Sequence, residues 1–174
     1  MLIYFVGYIE AGKKKWGQKL AKEIDYKFID TRDLMQEKTG KSYEELLDDK
    51  NLFISTEQEI IEEISQLKNT IIAVSELLPC RGNNMDILNK TGITFYLRAG
   101  VGCIMMKVSL IKNRIPLLKG IHPDIVPDFV IVELKRRQPF YSQAKINYLA
   151  RELTMKKLLK LLEEYKNTRS LKTN

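Results

Sequence analysis

The segment Gly7-Tyr8-Ile9-Glu10-Ala11-Gly12-Lys13-Lys14 constrains this chain more than any other part of it. It follows the apolar run Leu2-Ile3-Tyr4-Phe5-Val6 and opens a helical pattern that continues to Ile24. A buried strand, a glycine-bounded loop ending in lysine and then a helix is the setting in which loop amides cradle phosphates. Gly7, Ala11 and Gly12 give such a loop its shape and its approach to the ligand, and Lys13 reaches the outer phosphates. The next residue is ordinarily Ser or Thr, whose hydroxyl ligates Mg²⁺. Here it is Lys14, which has no lone pair to offer while protonated, and Lys15 follows. Three lysines at a helix N-terminus oppose its macrodipole unless an anion sits there. Lys14 and Lys15 beside Lys13 offer charge in place of the metal's.

The chain has 174 residues, enough to bury one core, and reads as a single unit over 1–166 with a frayed tail at 167–174. Its apolar runs are far shorter than the roughly 20 residues a membrane span needs, and no basic stretch, apolar run and cleavage site open it. A cytoplasmic protein with no membrane partner is expected. Cys80 and Cys103 lie far apart with no Cys-x-x-Cys pattern and read as buried free thiols. His122, among prolines, reads as a loop residue. The net charge of +7 gathers in Lys13, Lys14, Lys15, Lys19 and Lys22, in Lys135-Arg136-Arg137 and in the tail. No recognised nucleic-acid motif and no interleaved aromatics accompany it. A small phosphorylated or carboxylated ligand suits this clustering better than a nucleic acid.

Strand patterns at 3–6, 27–30, 70–74 and 93–97 alternate with helical ones. The helices are expected from the loop to about 25, then at 31–37, 42–47, 56–67, 85–90, 103–111, 129–136 and 149–165. Ser42 and Glu45 form a capping box, and 114–127 is a loop rich in Pro and Gly. Strands spaced by helices imply an α/β fold, a mainly parallel sheet with helices on both faces. Ligands bind beyond the C-terminal strand ends of such sheets, where Gly7, Asp30 and Ser75 all fall.

The loop is joined by Phe28-Ile29-Asp30-Thr31, by Glu37-Lys38-Thr39-Gly40-Lys41-Ser42, by Ile115-Pro116-Leu117-Leu118-Lys119-Gly120 and by Arg136-Arg137-Gln138-Pro139-Phe140-Tyr141. In that order and spacing, over about residues 1–165, the chain resembles the shikimate kinases, P-loop enzymes of aromatic amino-acid biosynthesis. The resemblance implies a three-layer P-loop fold, a five-stranded parallel sheet, a lid at about 112–127 and a monomer. It implies ATP or ADP on the loop, shikimate beside it, and transfer of the γ-phosphoryl group to a ring hydroxyl. Lys13 and Asp30 take the catalytic places, Asp30 lying near Mg²⁺ and the accepting hydroxyl. Arg137 matches the arginine that pairs with the shikimate carboxylate. Lys107 and Arg114 fall on the nucleotide and lid side, with Gly7, Ala11, Gly12, Lys14 and Lys15 in the loop. Asp33 is the acid nearest the second substrate-binding position.

Several family positions differ. Lys14 replaces the hydroxyl ligand, which leaves metal binding to Asp30. Arg32 replaces a substrate-binding Asp, and Ile54 replaces the arginine of a Phe-Arg-x-x-Glu element. Ser75-Glu76-Leu77 replaces three glycines, Ile115 replaces the lid arginine, and Met106-Lys107 replaces a basic pair. The expected function is a shikimate kinase homologue that keeps a phosphate- or nucleotide-binding loop and phosphorylates shikimate weakly or not at all. Two alternatives stay open. One is a working shikimate kinase or related small-alcohol kinase with rearranged contacts; the other is a non-catalytic basic binding module.

Overall fold

The computed structural model describes residues 1–111 and 115–170, and its five strands form one parallel sheet. They are β1 (Leu2–Val6), β2 (Lys27–Asp30), β3 (Thr70–Ala73), β4 (Ile93–Arg98) and β5 (Ile146–Leu149), in the spatial order β2-β3-β1-β4-β5. The central strand β1 is buried along its whole length. Its side chains alternate between faces, as the pleat requires. Leu2, Tyr4 and Val6 join one core with Ile72, Tyr96, Ile60 and Ile64, while Ile3 and Phe5 join a second with Ile71, Phe95, Leu20 and Leu158. Both sheet faces are therefore covered by helices, which is why the inner strands read as unbroken apolar runs.

The helices are α1 (Lys13–Glu23), α2 (Thr31–Thr39), α3 (Tyr43–Asp48), α4 (Lys50–Ser65), α5 (Asn84–Thr91), α6 (Val101–Ile111), α7 (Val126–Tyr141) and α8 (Met155–Ser170). The expected capping box forms: Ser42 Oγ accepts from the Glu45 amide at 3.2 Å while Glu45 accepts from the Ser42 amide at 2.7 Å. α4 starts six residues before its expected start because Asp49 caps it, accepting from the Leu52 amide at 3.1 Å. Three other expectations need correction. The fifth strand, β5, lies where a helix was expected to begin. It is an edge strand in which only Ile146 is buried, so no apolar run announces it. The stretch expected as a plain loop holds two 3₁₀ turns, Pro116–Leu118 and Pro123–Ile125. The last helix continues to Ser170, past the expected end of the folded region. Cys80 and Cys103 are free, as expected, but half-buried. Among the described residues no helix is long and apolar enough to cross a membrane.

Gly92 joins α5 to β4 and passes tightly over the start of β1. A Cβ there would lie 2.8 Å from the Leu2 carbonyl oxygen and 2.6 Å from the Tyr4 ring. Backbone cannot yield as a side chain can. Gly92→Ala is therefore expected to lower the unfolding free energy by about 1–3 kcal/mol, read as a lower urea midpoint at unchanged slope.

Candidate functional site

The C-terminal ends of β1, β2 and β3 converge on one cavity of about 360 Å³. Its floor is the loop between β1 and α1. Gly7 has φ 144, and a Cβ on it would lie 2.8 Å from the Leu97 carbonyl oxygen. Gly12 is the N-cap of α1 with φ 91, so the helix begins at Lys13 with no side-chain cap. Lys13 folds back on the loop and donates to the carbonyl oxygens of Gly7 at 2.7 Å and Tyr8 at 3.0 Å. Burial pushes its pKa down to about 8, against the opposing pull of Glu76. Lys14, Lys15 and Lys107 also line the cavity. Lys107 is tied to the loop, donating to the Glu10 carbonyl at 2.6 Å.

Glu10 carries two features that the sequence reading passed over. Its φ of 56 is left-handed, a conformation that favours glycine. Its residue also places a carboxylate on the wall of a phosphate-sized cavity. An acid inside a loop of phosphate-facing amides was a visible signal; the backbone conformation was not.

At the end of β2, Asp30 caps α2, accepting from the Arg32 amide at 3.0 Å. Burial raises its carboxyl pKa, with the Arg32 amide working the other way. The sequence had placed Arg32 and Glu76 among separate losses. The structure joins them: Arg32 Nη2 donates to Glu76 Oε2 in a salt bridge. Glu76 is fully buried, and Tyr43 Oη donates to its other oxygen at 3.2 Å. The Arg32 guanidinium also lies 4.7 Å from the Tyr43 ring centre. Burial alone would raise the Glu76 pKa; Arg32 and Lys13 outweigh it and hold the carboxyl below its usual range. Thr31 Oγ1 accepts from the Ser75 amide at 2.8 Å and ties the ends of β2 and β3 together. Asp33 turns outward and holds Lys14 Nζ at 2.7 Å, while Asp30 Oδ2 lies 3.9 Å from the same ammonium.

Arg137 is buried on α7, salt-bridged to Glu133 one turn earlier, its guanidinium 5.3 Å from the Tyr8 ring centre. Its Nε and Nη1 and the Tyr8 hydroxyl are buried with no hydrogen-bond partner among the described residues. Burial pushes the Tyr8 pKa up to about 12. Glu57, also fully buried, pairs through Oε2 with Arg81 Nε at 2.5 Å, and Arg81 lies over the Phe53 ring. Burial drives the Glu57 pKa up to about 7 despite that partner. Ile115 and Leu118 are both buried in the same core as Tyr8, Tyr43 and Phe53. Lys119 holds Glu44 of α3 at 2.7 Å. Arg114 lies outside the described residues.

A second cavity of about 460 Å³ shares Glu10, Gly12, Lys15 and Lys107 with the first and extends along Trp16, Arg98, Cys103 and Arg151. Ala11 lines this cavity rather than the first.

The residues present do not suit Mg²⁺. A hard dication wants several oxygen ligands, and one or two carboxylates with phosphates usually supply them. Asp30 is engaged by an amide and faced by the Lys14 ammonium, and Lys14 itself cannot ligate.

A family model for shikimate kinase matches residues 10–166. The shikimate kinase of Bacteroides thetaiotaomicron is 31% identical over 153 residues, 87% of each chain, and that of Azobacteroides pseudotrichonymphae is 31% identical over 163 residues, 92% of this chain and 96% of the other. The crystal structure of the B. thetaiotaomicron enzyme superposes with a TM-score of 0.87 at 29% identity, covering 94% of this chain and 98% of that one. Shikimate kinase from Acinetobacter baumannii in complex with shikimate superposes with a TM-score of 0.82 at 27% identity, covering 94% and 93%. With its parallel five-stranded sheet and its lysine-ended loop at the sheet's C-terminal edge, the chain belongs to the shikimate kinase family.

Proposed function

We propose that this chain binds ATP or ADP across the two cavities and phosphorylates shikimate weakly or not at all. The observation that carries this reading is the pairing of the half-buried Arg32 with the fully buried Glu76 at the ends of β2 and β3. Phosphoryl transfer needs positioning and charge neutralisation more than covalent chemistry, so what stands between donor and acceptor decides the rate. Here the Arg32 guanidinium stands on the cavity wall, with the Glu76 carboxylate and the Tyr43 hydroxyl buried behind it. Ser75 and Glu76 are buried side chains where an approaching ring needs bare backbone. Ile115 and Leu118 bring no charge to the acceptor side. The loss of one preorganised charge costs on the order of 3 kcal/mol, so two independent losses slow turnover by about 10⁴. The nucleotide side is better kept. The cationic cavity suits phosphates, and the adjoining one offers Trp16 with Arg98 and Arg151 for a base to stack on. The cytoplasm, where the nucleotide is abundant, is the compartment this reading assigns, with the chain acting as a monomer.

A second reading has its own observation. Arg137 Nε and Nη1 and the Tyr8 hydroxyl are buried donors without partners among the described residues. Buried polar groups are rarely left so, and a guanidinium matches a carboxylate in geometry. This favours a surviving anchor for a carboxylate-bearing alcohol. A coupled ADP-release assay with shikimate, ATP and Mg²⁺ separates the readings. The expected result is no shikimate-dependent release above that of Lys13→Ala; clear turnover abolished by Lys13→Ala would overturn the first reading in favour of the second.

Glu10→Gly removes a carboxylate from the phosphate cavity and is expected to tighten ATP binding about tenfold, measured by calorimetric titration. Stability should move by less than about 1 kcal/mol, because relief of the left-handed backbone and the added chain entropy of glycine offset each other.

Lys13 sets a pH dependence. Without ligand its ammonium loses its proton near pH 8, and an anion binds the charged form. Above that value binding must take up a proton, so ATP affinity should fall as pH rises, approaching about tenfold per unit. A flat profile between pH 7 and 9.5 would show that Lys13 does not contact the phosphates.

A further inference from the structure

We propose that the triphosphate binds here as the metal-free anion, with Arg32 and Lys14 supplying the fixed donors that take the place of Mg²⁺. The proposal rests on the reading that the loop binds nucleotide phosphates, and deepens it. Lys14 Nζ is held 2.7 Å from Asp33 and 3.9 Å from Asp30. A dication seeking Asp30 would meet an ammonium first, and would gain no ligand from residue 14. Arg32 closes the same place from the other side. Its Nη2 is committed to Glu76, its guanidinium carbon lies 4.7 Å from the Tyr43 ring centre, and the side chain remains one-third exposed on the wall of the phosphate cavity.

Glu76 has a different meaning in this arrangement. Its carboxylate is fully buried and meets Arg32 and Tyr43, so it orients the guanidinium instead of facing the ligand. A guanidinium fixed in this way gives directed N–H donors to phosphate oxygens at little further loss of side-chain freedom. Around the cavity five cationic side chains stand against the carboxylates of Glu10 and Asp30. Such a lining favours the most highly charged form of the ligand. Mg²⁺ bound to ATP cancels two of its negative charges and occupies the oxygens that Arg32 and Lys14 would take.

The experiment is calorimetric titration of the full chain with ATP, once in EDTA and once in excess Mg²⁺. Binding in EDTA is expected to be about tenfold tighter. Lys14→Thr, at an exposed position, restores a hydroxyl ligand. It is expected to weaken metal-free binding about tenfold and to abolish the advantage of EDTA. Arg32→Gln combined with Glu76→Gln keeps the buried pair hydrogen-bonded and neutral, and should weaken metal-free binding by a similar factor. Circular dichroism reports whether each variant has folded. Binding that requires Mg²⁺, or metal-free affinity unchanged in both variants, overturns the proposal and leaves the nucleotide loop intact. No binding in either buffer overturns the proposal and the nucleotide reading together.

Discussion

A carboxylate taken wholly out of water has to be matched by a cation or else protonated, and Glu76 meets this demand at the end of β3. Arg32, Tyr43 and the nearby Lys13 answer it, from the starts of α2, α3 and α1. The backbone around it is tied as well: Tyr141 Oη donates to the Glu76 carbonyl at 2.7 Å, and the Ser75 amide reaches Thr31. Three separate chain segments therefore meet at one charge. Such a pair is not a source of stability, since an apolar pair of similar volume is often as good, whereas removing one partner costs about 3–5 kcal/mol. What the pair fixes is arrangement. It sets where a guanidinium stands at the mouth of the phosphate cavity, and it fills the space in which an acceptor would approach.

The loop obeys a different constraint. Its amides and Lys13 suit an anion, yet Glu10 brings a carboxylate to it in a left-handed backbone. Lys13 without ligand turns back to the carbonyls of Gly7 and Tyr8, which satisfies its ammonium but leaves it depressed in pKa. Both features make phosphate binding conditional. In the reading proposed here, an anion draws Lys13 from its own loop and tolerates Glu10 because five cationic side chains line the cavity.

Much of the fold was legible because its signals are local. The apolar run of β1, the capping box at Ser42 and the glycine-bounded loop each lie within a few residues. β5 was not, because an edge strand with a single buried residue has little hydrophobic pattern. The candidate site divides in the same way. The places of Gly7, Gly12, Lys13 and Asp30 at strand ends followed from the alternation of strands and helices. The pairing of Arg32 with Glu76 spans 44 residues and depends on β2 lying beside β3, so each looked like an isolated loss. Glu133 and Arg137 are one helical turn apart, and that pairing could have been read from the spacing. Their burial beside Tyr8 could not, since it depends on how α7 packs against the loop.

The two halves of the site have been altered by different physics. On the nucleotide side, in the reading we propose, one positive charge is exchanged for another: an ammonium and a guanidinium for a metal and its hydroxyl ligand. On the acceptor side volume has been added after β3, where Ser75, Glu76 and Leu77 stand in place of the glycines the resemblance implies, while Ile115 brings no charge in the lid segment and Arg137 keeps its charge but lacks partners for two of its nitrogens among the described residues. Charge can be replaced by charge without closing a cavity, but volume excludes a ligand whatever its charge. In the reading proposed here, the nucleotide side is thus the half in which binding survives substitution. On the acceptor side Arg137 and Tyr8 keep buried polar atoms without partners among the described residues, and the side chains packed around them bound the space left beside those atoms.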